Sequence, residues 1–444
     1  MLNKEKNYIF LILLHVFIGV FIYYVPLVAK LYSILIIIVS LYFIVGTKNR
    51  NNEVLYAAAY VVGSEVFLRM TNGNPNHEFG KYSMIIFVVM GMFYSGFSKN
   101  ALPYWIFLLL LIPSIIISTQ VLNLNNHEIR KTISFNISGP LSLGLASLYT
   151  FNRKIRLSEV NNILLLIGLP IISCSIYILL YSPSIKSVLT STASNGNLSG
   201  GFGPNQVATI LGLGMFIFFI RLILVSSTKL IFAINLIIAA YISYRGMLTF
   251  SRGGMITGFI MILIFLIFIY YNSKYIGRIK LNYMIVFLTF AMFLIWIFTS
   301  YQTDGLIDKR YTNRDSMGRV KEDKFTGRVE IAEGEINMFL ENPFFGVGVA
   351  KGSEIRSEQL GLSDAFASHD EVTRMLAEHG ALGILALLIL VITPIFLYLD
   401  NKQHIFLFCF LIFWLLSINH SAMRIAAPGF IYSLSLLKVR FDEN

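Results

Sequence analysis

The sequence predicts an all-α integral membrane protein with about 12–14 transmembrane helices and one large external loop that itself contains helices. Three observations lead to this prediction. The 444 residues are 56% hydrophobic and only 13% charged, whereas a soluble domain carries about 25% charged residues. Apolar runs of about 20 residues recur along the chain, and each is long enough to cross a bilayer as a helix. Residues 301–380 form the one long polar stretch between such runs.

The apolar runs follow one another from the amino terminus, and each is interpreted as a membrane span. The first run follows Lys4 and Lys6 and lacks a small-residue cleavage site, so it is a retained span rather than a signal peptide. The spans are placed near residues 8–27, 31–46, 53–70, 82–98, 102–121, 132–150, 160–181, 206–226, 229–247, 254–271, 281–300, 381–399, 404–419 and 422–437.

Short basic loops all fall on one side of this topology. Because Lys and Arg accumulate in cytoplasmic loops, that side is the cytoplasm, both termini are cytoplasmic, and the long polar stretch is external. The predicted organisation is residues 1–300 with spans 1–11, residues 301–380 as a large periplasmic loop, and residues 381–444 with the C-terminal spans. The basic loops contain Lys48–Arg50, Ser98–Asn100, Arg153–Arg156, Lys274–Lys280 and Lys438–Arg440.

Cysteine usage and net charge exclude several classes of protein. Cys174 and Cys409 both lie in apolar runs, which indicates packed thiols and no disulfide framework or metal-ligand spacing. The net charge of +11 is explained by basic cytoplasmic loops, so no nucleic-acid partner is expected.

The long polar loop contains one predicted helix and one glycine-rich turn. Apolar residues recur at helical spacing from Val329 to Leu340, the acids including Glu335 fill the opposite face, and Asn342-Pro343 ends the helix. Arg328 lies in the first turn, where the helix dipole disfavours a cation, and this hints at a ligand-facing role. Glycines 346, 348 and 352 predict a tight turn that brings the backbone close to a helix or a substrate.

His369 lies in the sequence SHDE, just before the chain re-enters the membrane. An imidazole titrates near neutral pH, so it is able to take a proton from a sugar hydroxyl or donate one to a phosphate oxygen. The alternative interpretation is an ordinary surface histidine, which is the commoner use of a single histidine in a polar loop.

Polar residues also occur at the predicted external ends of spans outside the long loop. Arg245 and Arg252 occur in YRGMLTFSRGG, and charge at membrane depth is costly and usually lines a cavity or binds a ligand. The guanidinium presents a planar fork of donors that matches phosphate oxygens. A snorkelling side chain is the alternative, and it suits Arg245 better, because two glycines follow Arg252. Asn205 opens another span in GFGPNQ and offers an amide to a sugar or a pyrophosphate.

Four motifs together resemble the O-antigen ligase and O-antigen polymerase superfamily of bacterial membrane glycosyltransferases. The last two are the most specific, because a helix ending in Asn-Pro, a Gly-x-Gly turn and a loop histidine recur in that family. The motifs are GPNQVA at 203–208, TFSRGG at 249–254, GRVEIAEGEINMFLENPFFGVGVAKG at 327–352 and SHDEVTRMLAEHGALG at 368–383.

The resemblance implies a helical enzyme that takes a glycan from undecaprenyl diphosphate with inversion, without a metal and without a cofactor. The family's arginines hold the diphosphate and its loop histidine helps to activate the acceptor. By this resemblance the expected catalytic residues are Arg252, Arg328 and His369. The expected second tier of substrate-binding residues is Arg245, Asn205, Arg374 and Glu378.

The resemblance leaves the acceptor open. A ligase transfers the polysaccharide to lipid A–core, whereas a polymerase joins repeat units of O-antigen, capsule or exopolysaccharide. The expected partners are therefore the undecaprenyl-diphosphate-linked donor, a lipid A–core or growing-glycan acceptor, and membrane lipid, at the inner membrane of a bacterium. A transporter of the lipid-linked glycan is a third class, and it predicts broken helices and charges deep in the spans. Glu65 is the clearest such charge.

Overall fold

The computed structural model describes residues 2–182, 184–320, 328–360, 368, 370–421 and 423–441. It is 76% helical, which confirms the predicted all-α class. In chain order the elements are α1 Leu2–Tyr24, α2 Leu27–Thr47, α3 Glu53–Met70, α4 Phe79–Ser95, α5 Leu102–Leu110, α6 Ile112–Val121, α7 Asn126–Thr150, β1 Lys154–Arg156, α8 Leu157–Tyr181, α9 Pro204–Leu224, α10 Lys229–Leu248, α11 Arg252–Asn272, α12 Tyr275–Gln302, α13 Leu306–Tyr311, α14 Arg328–Glu341, α15 Lys351–Leu360, α16 Glu371–Asp400, α17 Leu407–Ser421, α18 Ala427–Leu434 and β2 Lys438–Arg440.

Within the described residues, nine helical segments are long and apolar enough to cross a membrane, and the protein is a multi-pass membrane protein. The sequence predicts more spans because it counts runs that fail on length or polarity. Helices α4 and α17 are apolar but short, α18 has only 8 residues, α7 begins with a polar and charged turn, and α3 contains three charged residues. The nine are α1, α2, α5 with α6, α8, α9, α10, α11, α12 and α16.

The chain forms two compact units that interleave along the sequence. The first unit comprises residues 1–46, 55–79 and 158–322. The second comprises residues 47–54, 80–157 and 323–444. The predicted division at residues 300 and 380 stays a prediction.

Backbone contact between α9 and α11 forms the centre of the first unit. A Cβ atom on Gly212 would lie 2.1 Å from the carbonyl oxygen of Gly254, and one on Gly258 would lie 2.3 Å from the carbonyl oxygen of Gly212. Small residues allow membrane helices to approach this closely, because lipid provides no hydrophobic driving force between them. The contact fixes the first turn of α11 against α9.

Helices α5, α7, α16, α17 and α18 pack around an aromatic core in the second unit. The Tyr104 and Tyr432 hydroxyls lie 2.8 Å apart, and the Tyr432 hydroxyl donates to the Leu390 carbonyl at 2.7 Å. Buried polar groups require such partners where water is absent. Strands β1 and β2 pair in parallel with Ile155 opposite Val439, which ties the end of the chain to the segment after α7.

A glycine interrupts α16, and the turn that follows α14 packs against the helix at this point. Gly380 has φ +61° and ψ −140°, a conformation that only glycine adopts readily. The Ala381 amide donates to the Pro343 carbonyl at 2.7 Å, and the Gly348 amide donates to the Glu378 carbonyl at 3.2 Å. The glycine-rich turn therefore brings its backbone against a helix, as the sequence predicts.

The α9–α11 contact allows a direct test by substitution. We expect Gly212→Ala to lower the thermal unfolding midpoint of the detergent-solubilised protein, because overpacking a close contact costs about 1–3 kcal/mol. Gly46→Ala is the matched control, since a Cβ atom on this helical glycine meets nothing within 4 Å. Equal midpoints for the two variants would contradict the backbone contact.

Candidate functional site

Arg252 begins α11 immediately after a sharp turn in the first unit. Phe250 in that turn has φ +57°, which is rare for a residue with a bulky side chain. The Arg252 Nη1 donates to the carbonyl of Arg310 in α13 at 3.2 Å. The Arg310 Nε in turn donates to the Phe250 carbonyl at 2.8 Å. Two hydrogen bonds therefore join the TFSRGG turn and α13, and each segment donates one of them.

Asn205 lies beside this turn. Its Oδ1 accepts a hydrogen bond of 2.8 Å from the hydroxyl of Ser251, the residue directly before Arg252. A Cβ atom on Gly254 would lie 2.2 Å from the Ala208 carbonyl carbon. Two of the predicted motifs, GPNQVA and TFSRGG, thus meet in the first unit.

Arg245 is buried rather than directed to a surface, with 1% of the residue exposed. Its Nε donates to the Tyr241 hydroxyl at 3.2 Å, and its Nη2 has no hydrogen-bond partner among the described residues. An unpaired buried donor is costly. The snorkelling interpretation of Arg245 is therefore wrong, while its role in substrate binding stays a prediction.

An apolar cavity of about 240 Å³ lies among α9, α10, α11, α12 and α13. Two of its lining residues, Ile256 and Met292, are 45% and 40% exposed, so the cavity is accessible from the outer surface of α11 and α12. Tyr311 forms part of the wall. Burial raises the pKa of Tyr311 to about 12, and the charges of Arg252 and Arg310 oppose that rise. Tyr311 directly follows Arg310, whose carbonyl accepts the hydrogen bond from Arg252, so both arginines lie close to the cavity wall.

Another buried polar group joins α3 to the start of α9. Arg69 pairs with Glu65 at 2.7 Å and with Glu78 at 3.6 Å, and its Nη1 donates to the Gln206 side chain at 3.4 Å. Gln206 directly follows Asn205 in the GPNQVA motif. The charge at Glu65 is thus compensated and attached to a predicted site motif.

Two arginines of the second unit pair with carboxylates, and Arg252 differs from them. In the second unit, Arg356 pairs with Glu335 at 2.8 Å, and Arg374 pairs with Glu371 and, at 3.6 Å, with Glu378. No carboxylate among the described residues forms an ion pair with Arg252. Its guanidinium donates to a neutral carbonyl instead. Its positive charge is therefore suited to an anionic ligand.

Glu335 organises the segment that leads into α16 in the second unit. Its carboxylate accepts hydrogen bonds from the Thr373 hydroxyl at 2.6 Å and the Ser368 hydroxyl at 3.2 Å, besides the pair with Arg356. Burial raises the pKa of Glu335, and the hydroxyl hydrogen bonds and the Arg356 charge oppose that rise. Arg424 donates to the Ser368 carbonyl at 2.8 Å. The residue before His369 is therefore held from two sides.

Arg374 and Glu378 have extensive protein contacts. The Arg374 Nη1 donates to the Asn136 carbonyl at 3.3 Å, and the Glu378 Oε1 accepts from the Ala350 amide at 3.0 Å. These contacts connect α16 to α7 and to the start of α15. A structural role accounts for both side chains, and their predicted contact with substrate stays a prediction.

The structure describes Arg328 only in part and does not describe His369. Helix α14 begins at Arg328 and ends at Glu341, directly before Asn342-Pro343, which confirms the predicted helix. The Arg328 side chain and the whole of His369 lie outside the described residues. Their roles stay predictions.

The buried face of α14 differs from the sequence-based expectation. Val329, Ile336 and Leu340 are 42%, 42% and 67% exposed, whereas Glu335 is 1% exposed. The ion pair and the two hydroxyl hydrogen bonds decide which face packs inward, and hydrophobic periodicity does not report them. Within the described part of the chain, no three His, Cys, Asp or Glu side chains are arranged to hold a metal ion.

Part of the chain is similar to a known protein family. Residues 237–388 match the family model described as O-antigen ligase, a match that begins in α10 and ends in α16. This part of the chain is therefore similar to the O-antigen ligase and polymerase superfamily, as the sequence motifs suggest. The match supports a glycosyltransferase of the O-antigen ligase family in general and leaves ligase and polymerase unresolved. No curated protein matches the chain.

The family match covers part of the predicted site. It includes the TFSRGG turn with Arg252 and both loop motifs, while Asn205 and Arg424 lie outside it. Sequence reasoning missed Arg310, Glu335 and Arg424 as neighbours of the site. Arg310 and Glu335 each occur among other charged residues of the same sign, so no pattern separates them from their neighbours. Arg424 is an isolated charge in an apolar segment, and that isolation is a signal that could have found it.

The Glu335 cluster generates a prediction about stability. We expect Glu335→Ala to reduce the free energy of unfolding by about 3–5 kcal/mol, because removing one partner of a buried ion pair leaves the other charge uncompensated. Thermal unfolding in detergent measures this loss. Glu333→Ala, on the exposed face of the same helix, is the control and should be near neutral. A neutral Glu335→Ala would show that the cluster is not buried.

Proposed function

We propose that the protein transfers a glycan from an undecaprenyl-diphosphate-linked donor to a second glycan at the periplasmic face of the bacterial inner membrane. One observation carries the proposal most strongly. Arg252, which pairs with no acid among the described residues, lies near an apolar cavity that is accessible from the outer surface of the helices. A lipid diphosphate has this combination of an anionic head and an apolar chain.

The chemistry needs charge stabilisation and one proton acceptor. As the bond between the anomeric carbon and the diphosphate oxygen breaks, the electron pair stays on the leaving diphosphate. Arg252 stabilises this charge as preorganised donors do in other transfer reactions. The resemblance to the family assigns the same role to Arg328. The acceptor hydroxyl attacks the opposite face of the sugar and gives its proton to His369. The proposal for Arg328 and His369 rests on the sequence motifs.

The orientation of the chain is also part of the proposal. With both termini in the cytoplasm, as the basic loops indicate, the start of α11 and residues 301–380 face the periplasm. There they meet a donor whose glycan is already external. The acceptor is lipid A–core in a ligase, and a growing repeat-unit chain in a polymerase.

A gene deletion decides between the two acceptors. Loss of all attached polysaccharide, with long lipid-linked polymer accumulating, supports the ligase. Single repeat units attached to lipid A–core support the polymerase. Unchanged surface glycans contradict the proposal as a whole.

Substitution of Arg252 tests the role of its charge. We expect Arg252→Gln to lower the transfer rate about 100- to 1,000-fold, the usual cost of removing one donor to a developing negative charge. The assay uses proteoliposomes and lipid-linked glycan extracted from the deletion strain.

Arg278→Gln is the matched control for this assay. Arg278 donates to the carbonyls of Tyr270 and Tyr271 near the other end of α11, so its loss should leave transfer unchanged. Lipid translocation is measured in the same vesicles. If Arg252→Gln blocks translocation but leaves transfer intact, the protein is a transporter and the proposal is wrong.

A further inference from the structure

We propose that Arg310 is a positioning residue for Arg252. The inference rests on the proposed function, because it requires that Arg252 binds the anionic part of the donor. Arg310 acts in two ways: its carbonyl orients the Arg252 guanidinium, and its own guanidinium holds the turn from which Arg252 starts.

The first action is a backbone hydrogen bond. The Arg252 Nη1 donates to the Arg310 carbonyl at 3.2 Å. A guanidinium carries several N–H donors in a planar fork, so one bond to a fixed carbonyl restricts its orientation and leaves other donors for phosphate oxygens. Such preorganisation reduces the ordering that binding would otherwise require.

The second action uses the Arg310 side chain. Its Nε donates to the Phe250 carbonyl at 2.8 Å and its Nη2 donates to the Ser194 hydroxyl at 3.3 Å. Phe250 has φ +57°, a strained conformation that persists only where its surroundings enforce it. The Asn195 amide adds a parallel connection to the Thr249 carbonyl at 3.0 Å. Arg310 therefore ties the strained turn to the segment before α9.

Helix α13 is itself held in place, so the backbone position of Arg310 is fixed. Asp308 accepts a hydrogen bond from the Trp296 indole at 2.8 Å and another from the Ser300 hydroxyl. The rings of Trp296 and Tyr311 pack edge to face with centroids 5.0 Å apart. These contacts fix α13 against the membrane helix α12. Since Arg310 lies in α13, the TFSRGG turn is connected to α12 through it.

Lysine at this position separates geometry from charge. It keeps the positive charge, but a single ammonium on a flexible stem does not reproduce the planar fork that reaches two acceptors. If Arg310 contributes only charge, Arg310→Lys should behave like the wild type. If Arg310 positions the turn, Arg310→Lys should be impaired.

The test measures binding of farnesyl diphosphate, a short lipid diphosphate, to the full-length protein in detergent. We expect Arg310→Lys to weaken binding about tenfold, the factor for losing one hydrogen bond that involves a charged group. Arg314→Lys is the matched control. Arg314 lies in the same loop, but its side chain donates to the Gly318 carbonyl within an exposed turn, and we expect wild-type affinity.

A second variant covers the case in which Arg310→Lys folds poorly. Ser194→Ala removes one acceptor of the Arg310 fork and leaves every charge in place. We expect a smaller loss of affinity at an unchanged thermal midpoint, together with a higher donor KM and an unchanged kcat. Unchanged affinity for both Arg310→Lys and Ser194→Ala overturns the inference.

Arg252→Gln in the same assay separates the two proposals. Weaker binding by Arg252→Gln with unchanged binding by Arg310→Lys would contradict only the positioning role. Unchanged binding by Arg252→Gln would contradict the diphosphate site itself.

Discussion

Helices α9 and α11 approach until their backbones touch, and three glycines make that approach sterically possible. A methyl group on Gly212 or Gly258 would overlap a carbonyl oxygen of the opposite helix. The contact determines where α11 begins, and therefore where Arg252 lies. It also brings the GPNQVA and TFSRGG segments together, because the Gly254 backbone meets that of Ala208. The position of the candidate anion site follows from this packing rather than from the polar residues themselves.

Compensated and uncompensated charges have different uses in this protein. Arg69 and Arg356 are buried beside carboxylates and Arg374 is half-buried beside one, and a paired buried charge serves mainly to define one arrangement of helices. Arg252 is bonded to a carbonyl instead. A cation near an apolar cavity costs free energy unless a partner compensates it. The anionic lipid of the proposed function would compensate the charge of Arg252.

The sequence predicts the membrane class, the α14 helix with its Asn-Pro end, and the turn of Gly346 and Gly348, because each depends on local chemistry. Apolar runs, prolines and glycines determine the conformation of the chain within a few residues of their own position. The meeting of Asn205 with Ser251 is also consistent with the predicted motifs. The sequence does not reveal that α13 holds the TFSRGG turn, since Arg310 resembles its charged neighbours. The sequence also places Glu335 on the solvent-exposed face, because a glutamate in a buried ion pair cannot be distinguished by residue type from one that faces solvent.

The most direct test of the account is to locate the lipid chain of the donor. A polyprenyl diphosphate with a photoreactive group on its first isoprene unit is cross-linked to the full-length protein, and the labelled peptides are identified by mass spectrometry. The account predicts labelling of cavity residues on α10, α11 and α12, such as Met247, Met255 and Trp296, and competition by unlabelled lipid diphosphate. Competed labelling elsewhere, with these helices unlabelled, would contradict the assignment of the cavity and of Arg252 to the donor.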